Sequence, residues 1–92
     1  MDIGGGYLKI YDFGRAKNIS GSRIQQARTA MRLSQSDLAA RLQLNGVIIE
    51  REAISKIETG DRIVTDYEIM VFAKVLGVSV SWLVGSSQLK FP

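Results

Sequence analysis

Apolar residues recur through the middle of the chain at helical spacing, and the polar residues between them supply matching start and stop signals. Ile24, Ala27, Arg28 and Met31 fall at i, i+3, i+4 and i+7, which sets an arginine inside an otherwise apolar stripe. Ahead of them, Ser22 and Gln25 predict a capping box, with the serine oxygen accepting a backbone N–H and the glutamine reaching back. Leu33 leads to a second start at Ser34, with Asp37 at the third helical position and Leu38, Ala39 and Leu42 as the inward face. Asn45-Gly46 stops that helix. A loop follows in which Ile48 and Ile49 are expected to close the core, with a partner contact as the alternative, and helical spacing resumes over residues 50–58 with Ala53, Ile54 and Ile57 inward. Thr59-Gly60 ends it. Thr65 and Glu68 predict a further capping box, ahead of the stripe Ile69, Phe72, Ala73 and Leu76 and a stop at Gly77. Ser79 is placed to cap a last short turn carrying Trp82 and Leu83. No core segment alternates long enough to build a sheet, so the pattern predicts an all-α bundle of about five short helices.

The ends read differently. Residues 1–21 contain Gly4, Gly5, Gly6 and Gly14 and no helical period, and are expected to form a flexible arm or tail. Within them Tyr7-Leu8-Lys9-Ile10-Tyr11 alternates as a short strand would. The three consecutive glycines lack the Gly-Lys-Ser/Thr ending of a phosphate-binding loop. Residues 22–85 make the expected domain, and residues 86–92 a loose C-terminal tail.

Composition narrows the chemistry. At 92 residues, 46% hydrophobic and 23% charged, the chain suits one small folded core. It contains neither cysteine nor histidine, which removes disulfides, thiolate or imidazole catalysis and the usual zinc sites, so no metal and no cofactor are expected. Glu50 and Glu52, or Asp66 and Glu68, stand two apart and diverge by roughly 200° on a helix, so neither pair converges on a substrate and no enzymatic role is expected. The apolar stretch over residues 69–84 is broken by Lys74, Gly77, Ser79 and Ser81 and is shorter than the roughly 20 residues a bilayer needs. No basic-then-apolar run opens the chain, and a cytoplasmic location is expected. The net charge of +3 is uneven: Lys9, Arg15, Lys17, Arg23, Arg28 and Arg32 face only Asp2 and Asp12 in the first third. That is compatible with a nucleic-acid partner without requiring one.

Two stretches carry a resemblance: Leu33-Ser34-Gln35-Ser36-Asp37-Leu38-Ala39-Ala40-Arg41-Leu42, and Ala53-Ile54-Ser55-Lys56-Ile57-Glu58-Thr59-Gly60. Together they resemble the helix-turn-helix of the lambda-repressor and Cro-like family, also called the XRE family. The resemblance extends from Arg28 through Ala73-Lys74-Val75-Leu76-Gly77-Val78-Ser79 and covers about residues 22–85. One departure is clear: the interval from Gln35 to Ile54 is longer than usual, so the turn before the recognition helix is enlarged.

The resemblance implies double-stranded DNA as the partner and assigns roles. Arg28 is expected to pair with Glu58, locking the first helix to the recognition helix; the plainer alternative is two solvated surface charges. Ser34 and Gln35 are expected at a DNA phosphate, through a helix N-terminus that favours anions, and Gly60 and Arg62 at the phosphate backbone beyond the recognition helix. Base contacts map onto Arg51, Glu52, Ser55 and Lys56. Arginine can offer two donors to guanine, lysine does so more loosely, and glutamate can accept from a cytosine amino group. Glu50 and Glu52 also suit a bland role as acids at a helix N-terminus. Met70, Val71 and Val84 fall outside the main stripe and are candidate contacts of a homodimer, or else they finish a small core. The implied function is a sequence-specific transcriptional regulator, most simply a repressor on a palindromic operator, with a protein-interaction module such as an antitoxin or anti-repressor partner as the rival.

Overall fold

A computed structural model describes residues 16–92. These form five helices: α1 (Gly21–Ala30), α2 (Gln35–Leu44), α3 (Arg51–Glu58), α4 (Asp66–Leu76) and α5 (Val80–Leu83). No strand occurs among the described residues. The expectations for the arm, including the alternating segment from Tyr7, lie outside them, apart from its last residues.

Local chemistry accounts for most helix boundaries. At α2 the Ser34 hydroxyl accepts from the Asp37 amide at 2.9 Å, and the Asp37 carboxylate accepts from the Ser34 amide at 3.0 Å. Thr65 and Glu68 make the same reciprocal pair at α4, and the Ser79 hydroxyl accepts from the Trp82 amide at α5. The expected Ser22–Gln25 capping box does not form. Helix α1 starts earlier, at Gly21, and its side-chain cap comes from Asn18, whose Oδ1 accepts from the amides of Ser20 (3.0 Å) and Gly21 (2.6 Å). The turn from α1 to α2 passes through Arg32 in the left-handed region (φ 59°), and the Leu33 amide donates back to the Arg28 carbonyl. This is the Schellman geometry that usually carries glycine, and it costs a non-glycine residue about 1 kcal/mol or more.

The seven most completely buried large side chains, Ile24, Leu38, Leu42, Ile54, Ile57, Phe72 and Leu83, come from all five helices. Helices α2 and α3 pack against each other, while α1 lies against α3, α4 and α5. Three expectations about packing fail. Met31 is exposed at the C-cap of α1 and does not complete its inward stripe. Val71 is 9% exposed and belongs to the core, because the interior face of α4 is wide enough to include Ile69, Val71, Phe72, Ala73 and Leu76. Ile48 points outward and does not close the loop.

Both ends of the domain are more integrated than the periodicity predicts. Asn18 Nδ2 donates to the carbonyls of Ile57 (3.0 Å) and Arg62 (2.8 Å), and Ser20 is buried, so the packed body begins upstream of Ser22. The C-terminal residues fold back onto α5 instead of trailing away. The Ser79 amide donates to the Lys90 carbonyl (2.7 Å) and its hydroxyl to the Leu89 carbonyl (2.9 Å). The cations of Arg23 and Lys90 lie 4.7 and 5.0 Å from the centre of the buried Trp82 ring, within cation–π range.

Candidate nucleic-acid interface

Helix α3 has two unlike ends. Its C-terminal end is built into the fold through Glu58, whose side chain is 2% exposed. Glu58 Oε2 accepts from Arg28 Nε at 2.6 Å and Oε1 from Arg28 Nη2 at 3.0 Å, a two-point fork between carboxylate and guanidinium. Arg28 Nη1 adds a bond to the Leu33 carbonyl at 2.7 Å, and Gln35 Nε2 donates to Glu58 Oε1 at 3.0 Å. The Glu58 hydrogen bond holds the Arg28 pKa above its ordinary value. The pairing expected of Arg28 and Glu58 is therefore present and buried. It also draws in Gln35, whose side chain is turned into this network and away from the surface where a phosphate would lie.

Two close approaches reinforce the same end. A Cβ at Gly21 would stand 2.1 Å from the Ile57 carbonyl oxygen, so only glycine lets α1 come this near to α3. At Gly60 (φ 86°) a Cβ would meet Ala16 at 2.9 Å. The Gly60 amide already donates to the Ile57 carbonyl and its carbonyl already accepts from Lys17. Gly60 thus offers no spare backbone donor to a phosphate; its geometry serves the turn.

The outward face of α3, from its N-terminal end to Lys56 in its last turn, is open. Glu50 stands at the N-cap in an extended conformation and makes no side-chain cap bond, unlike the residues that begin α2, α4 and α5. The early amides of α3 consequently have no side-chain cap. Arg51, Glu52 and Lys56 are exposed, Ser55 is half-buried, and none of their side chains forms an ion pair or hydrogen bond with a described residue. Two open clefts flank this face. One is bounded by Glu52, Lys56, Asp61 and Arg62, the other by Ser36, Gln43, Arg51 and Glu52, and both share Ile48, Ile49 and Glu50. Of the four base-contact candidates, Arg51, Glu52 and Lys56 border these clefts, while the half-buried Ser55 lines neither.

The phosphate candidates divide. Ser34 remains exposed at the start of α2, where its hydroxyl accepts from the Asp37 amide. Hydrogen bonds from the Ser34 backbone and side chain hold the Asp37 carboxyl below the ordinary carboxylate range. Arg62 borders the cleft beside Lys56, but Nη1 and Nη2 each donate to a Glu68 oxygen at 3.1 Å, and Nη1 also reaches the Ile63 carbonyl. Burial pushes the Glu68 carboxyl up, yet the bonds from Arg62 and Thr65 outweigh it and the pKa falls below its ordinary value. A phosphate at Arg62 would share or displace Glu68.

Sequence reading missed Asn18 and Gly21, and favoured the core over a partner contact for the exposed Ile48. Asn18 ahead of Ser20-Gly21 is a turn signal, but nothing local points to its partners at Ile57 and Arg62.

A family model described as helix-turn-helix matches residues 24–83, the span from α1 to the end of α5. The chain belongs to the lambda-repressor-like helix-turn-helix family. It is accordingly a DNA-binding regulator in its general class. Among solved structures it is similar to the P22 c2 repressor protein in complex with a synthetic operator. The likeness has a TM-score of 0.64 at 20% identity, covering 76% of this chain and 98% of that one. This likeness concerns the fold. A comparison with curated proteins found no match. No helix is long and apolar enough to cross a membrane among the described residues, nor do acidic side chains there cluster as a metal site would require.

Proposed function

We propose that the protein is a sequence-specific regulator of transcription that reads double-stranded DNA with the exposed face of α3. The carrying observation is the contrast along that helix: Glu58 is locked behind it, while Arg51, Glu52 and Lys56 stand unpaired among described residues and flanked by open clefts. Rigid backing is what a base-reading helix needs, because a bidentate contact worth about 1–3 kcal/mol depends on placement. Arg51 is the leading guanine reader, Lys56 a second cationic contact, Ser55 a smaller one, and Glu52 an acceptor for a cytosine amino group. Ser34, the Gln35 amide and Arg62 supply backbone contacts.

One such helix spans only a few base pairs, so a homodimer on a palindromic operator is part of this reading, as is repression by occupying that operator. Met70 is 63% exposed on α4 and Val84 is half-buried, which suits both to a dimer contact. Val71, being in the core, is withdrawn from that surface. Work on a chromosome places the protein in the cytoplasm, at the nucleoid.

Selection from a random duplex pool at near-physiological salt tests this. A palindromic winner preferred by about 10³-fold over scrambled DNA is the expected result. No enrichment would overturn it and favour a protein partner, a reading supported by Glu50, Glu52 and Asp61, which make the clefts partly acidic.

A further inference from the structure

The enlarged turn before α3 contains three consecutive aliphatic residues with opposite fates. Val47 is 5% exposed and Ile49 3%, both part of the core, whereas Ile48 between them is 67% exposed. The stretch belongs to no helix, and the in-out-in alternation is that of a chain whose successive side chains point to opposite sides. Anchoring Val47 and Ile49 therefore forces Ile48 outward. The anchoring is reinforced by the Val47 amide, which donates to the Leu42 carbonyl at 3.0 Å. Ile48 emerges at the junction of the two clefts and borders both, next to Arg51 and Glu52 on one side and Lys56 on the other.

An isolated exposed isoleucine needs no explanation by itself. Its setting does: apart from the small side chains of Ala39, Ala40 and Ala53, the outward groups that share the two clefts with it are charged or polar, so Ile48 is the one large apolar side chain exposed there. The edges of DNA bases present one apolar feature in the major groove, the C5-methyl group of thymine. We propose that Ile48 is a specificity-determining residue that packs on a thymine methyl beside the bases read by Arg51 and Lys56. This rests on the DNA-reading role of α3 set out above. It adds a preference that hydrogen bonds cannot express, and it gives the enlarged turn a use.

The test separates methyl recognition from general binding. On the selected duplex, each thymine is replaced in turn by deoxyuridine, which keeps the pairing edge and the O4 acceptor but lacks the methyl. Affinity is then measured for the full-length wild type, Ile48→Ala and Ile48→Val. The expected result is one thymine per half-site whose replacement weakens wild-type binding by about three- to fivefold, the share of one buried methyl group. That penalty should vanish in Ile48→Ala and largely persist in Ile48→Val, with melting temperatures unchanged. Equal penalties in wild type and Ile48→Ala, or uniform weakening of Ile48→Ala on every duplex, would overturn the assignment while leaving sequence-specific DNA binding intact. A wild type that selects no duplex at all would overturn the parent reading, and this one with it.

Discussion

The two ends of α3 lie within one eight-residue helix yet answer to different demands. At the C-terminal end, Glu58 is enclosed by Arg28 and Gln35, Asn18 takes up the Ile57 and Arg62 carbonyls, and Gly21 lets α1 approach the backbone. At the N-terminal end Glu50 caps nothing, and along the outward face Arg51, Glu52 and, in the last turn, Lys56 border open clefts. Polar groups at the enclosed end are satisfied internally because leaving them buried and unpaired is costly. Those at the open end are left for an outside partner. Stability and recognition are thus divided along the helix, and substitutions at one end should leave the other property largely untouched.

The sharpest way to break this division is Glu58→Ala, which strands the Arg28 guanidinium against the core. A loss of about 3–5 kcal/mol is expected, read by urea or thermal unfolding, and it should take DNA binding down with the fold. Replacing Arg28 and Glu58 together with apolar residues of similar volume should recover much of the stability, since no charge is then stranded. Full stability in Glu58→Ala alone would show that the network is decorative.

Asn18→Ala should come next, at about 2 kcal/mol, because it removes the partner of two carbonyls and two amides at once. The same circular-dichroism melts should show it despite its position upstream of the family match. A change of a few tenths would mean that the domain really starts near Ser22.

A smaller effect belongs to pH. The carboxyls of Glu68 and Asp37 have folded-state pKa values below their ordinary ones. The stability they contribute is therefore present above the unfolded-state pKa and lost as pH falls through the folded-state value, in the range of about pH 4 and below. Stability measured across pH 7 to 3 should decline on the acid side, and Glu68→Gln should flatten part of that decline. An identical acid limb in Glu68→Gln would remove the Arg62–Glu68 pair from the account.

The smallest effect on stability is expected from Arg51→Ala, within about 0.5 kcal/mol, since the side chain touches no described partner. Its effect on recognition should be the clearest, a loss of about 1–3 kcal/mol in discrimination at one base pair. Unchanged base preference in selection with the variant would take Arg51 out of the reading surface, and marked destabilisation would contradict the openness of this end.

The same division explains how much could be read without the fold. The caps of α2 and α4 were legible because Ser34 with Asp37, and Thr65 with Glu68, are three residues apart and meet wherever a helix starts. The inward stripes of α2, α3 and α4 were legible for the same reason of period. The Arg28–Glu58 pair was legible through the family pattern, and its chemical sense came from an arginine lying in an apolar stripe. The start of α1 was misplaced because the competing cap, Asn18, acts from outside the helix.

Residue order alone, then, specifies an all-helical domain and the set of charged residues that α3 can present, because these depend on contacts within a turn or two, and it shows the helix-turn-helix through resemblance to the family pattern. Tertiary packing decides which of those groups remain available. Asn18 finds Ile57 and Arg62 across 39 and 44 residues, and Gln35 turns inward to Glu58 across 23. Three adjacent aliphatics carry no period that says which one faces out; only the anchoring of Val47 and Ile49 in the core leaves Ile48 at the surface.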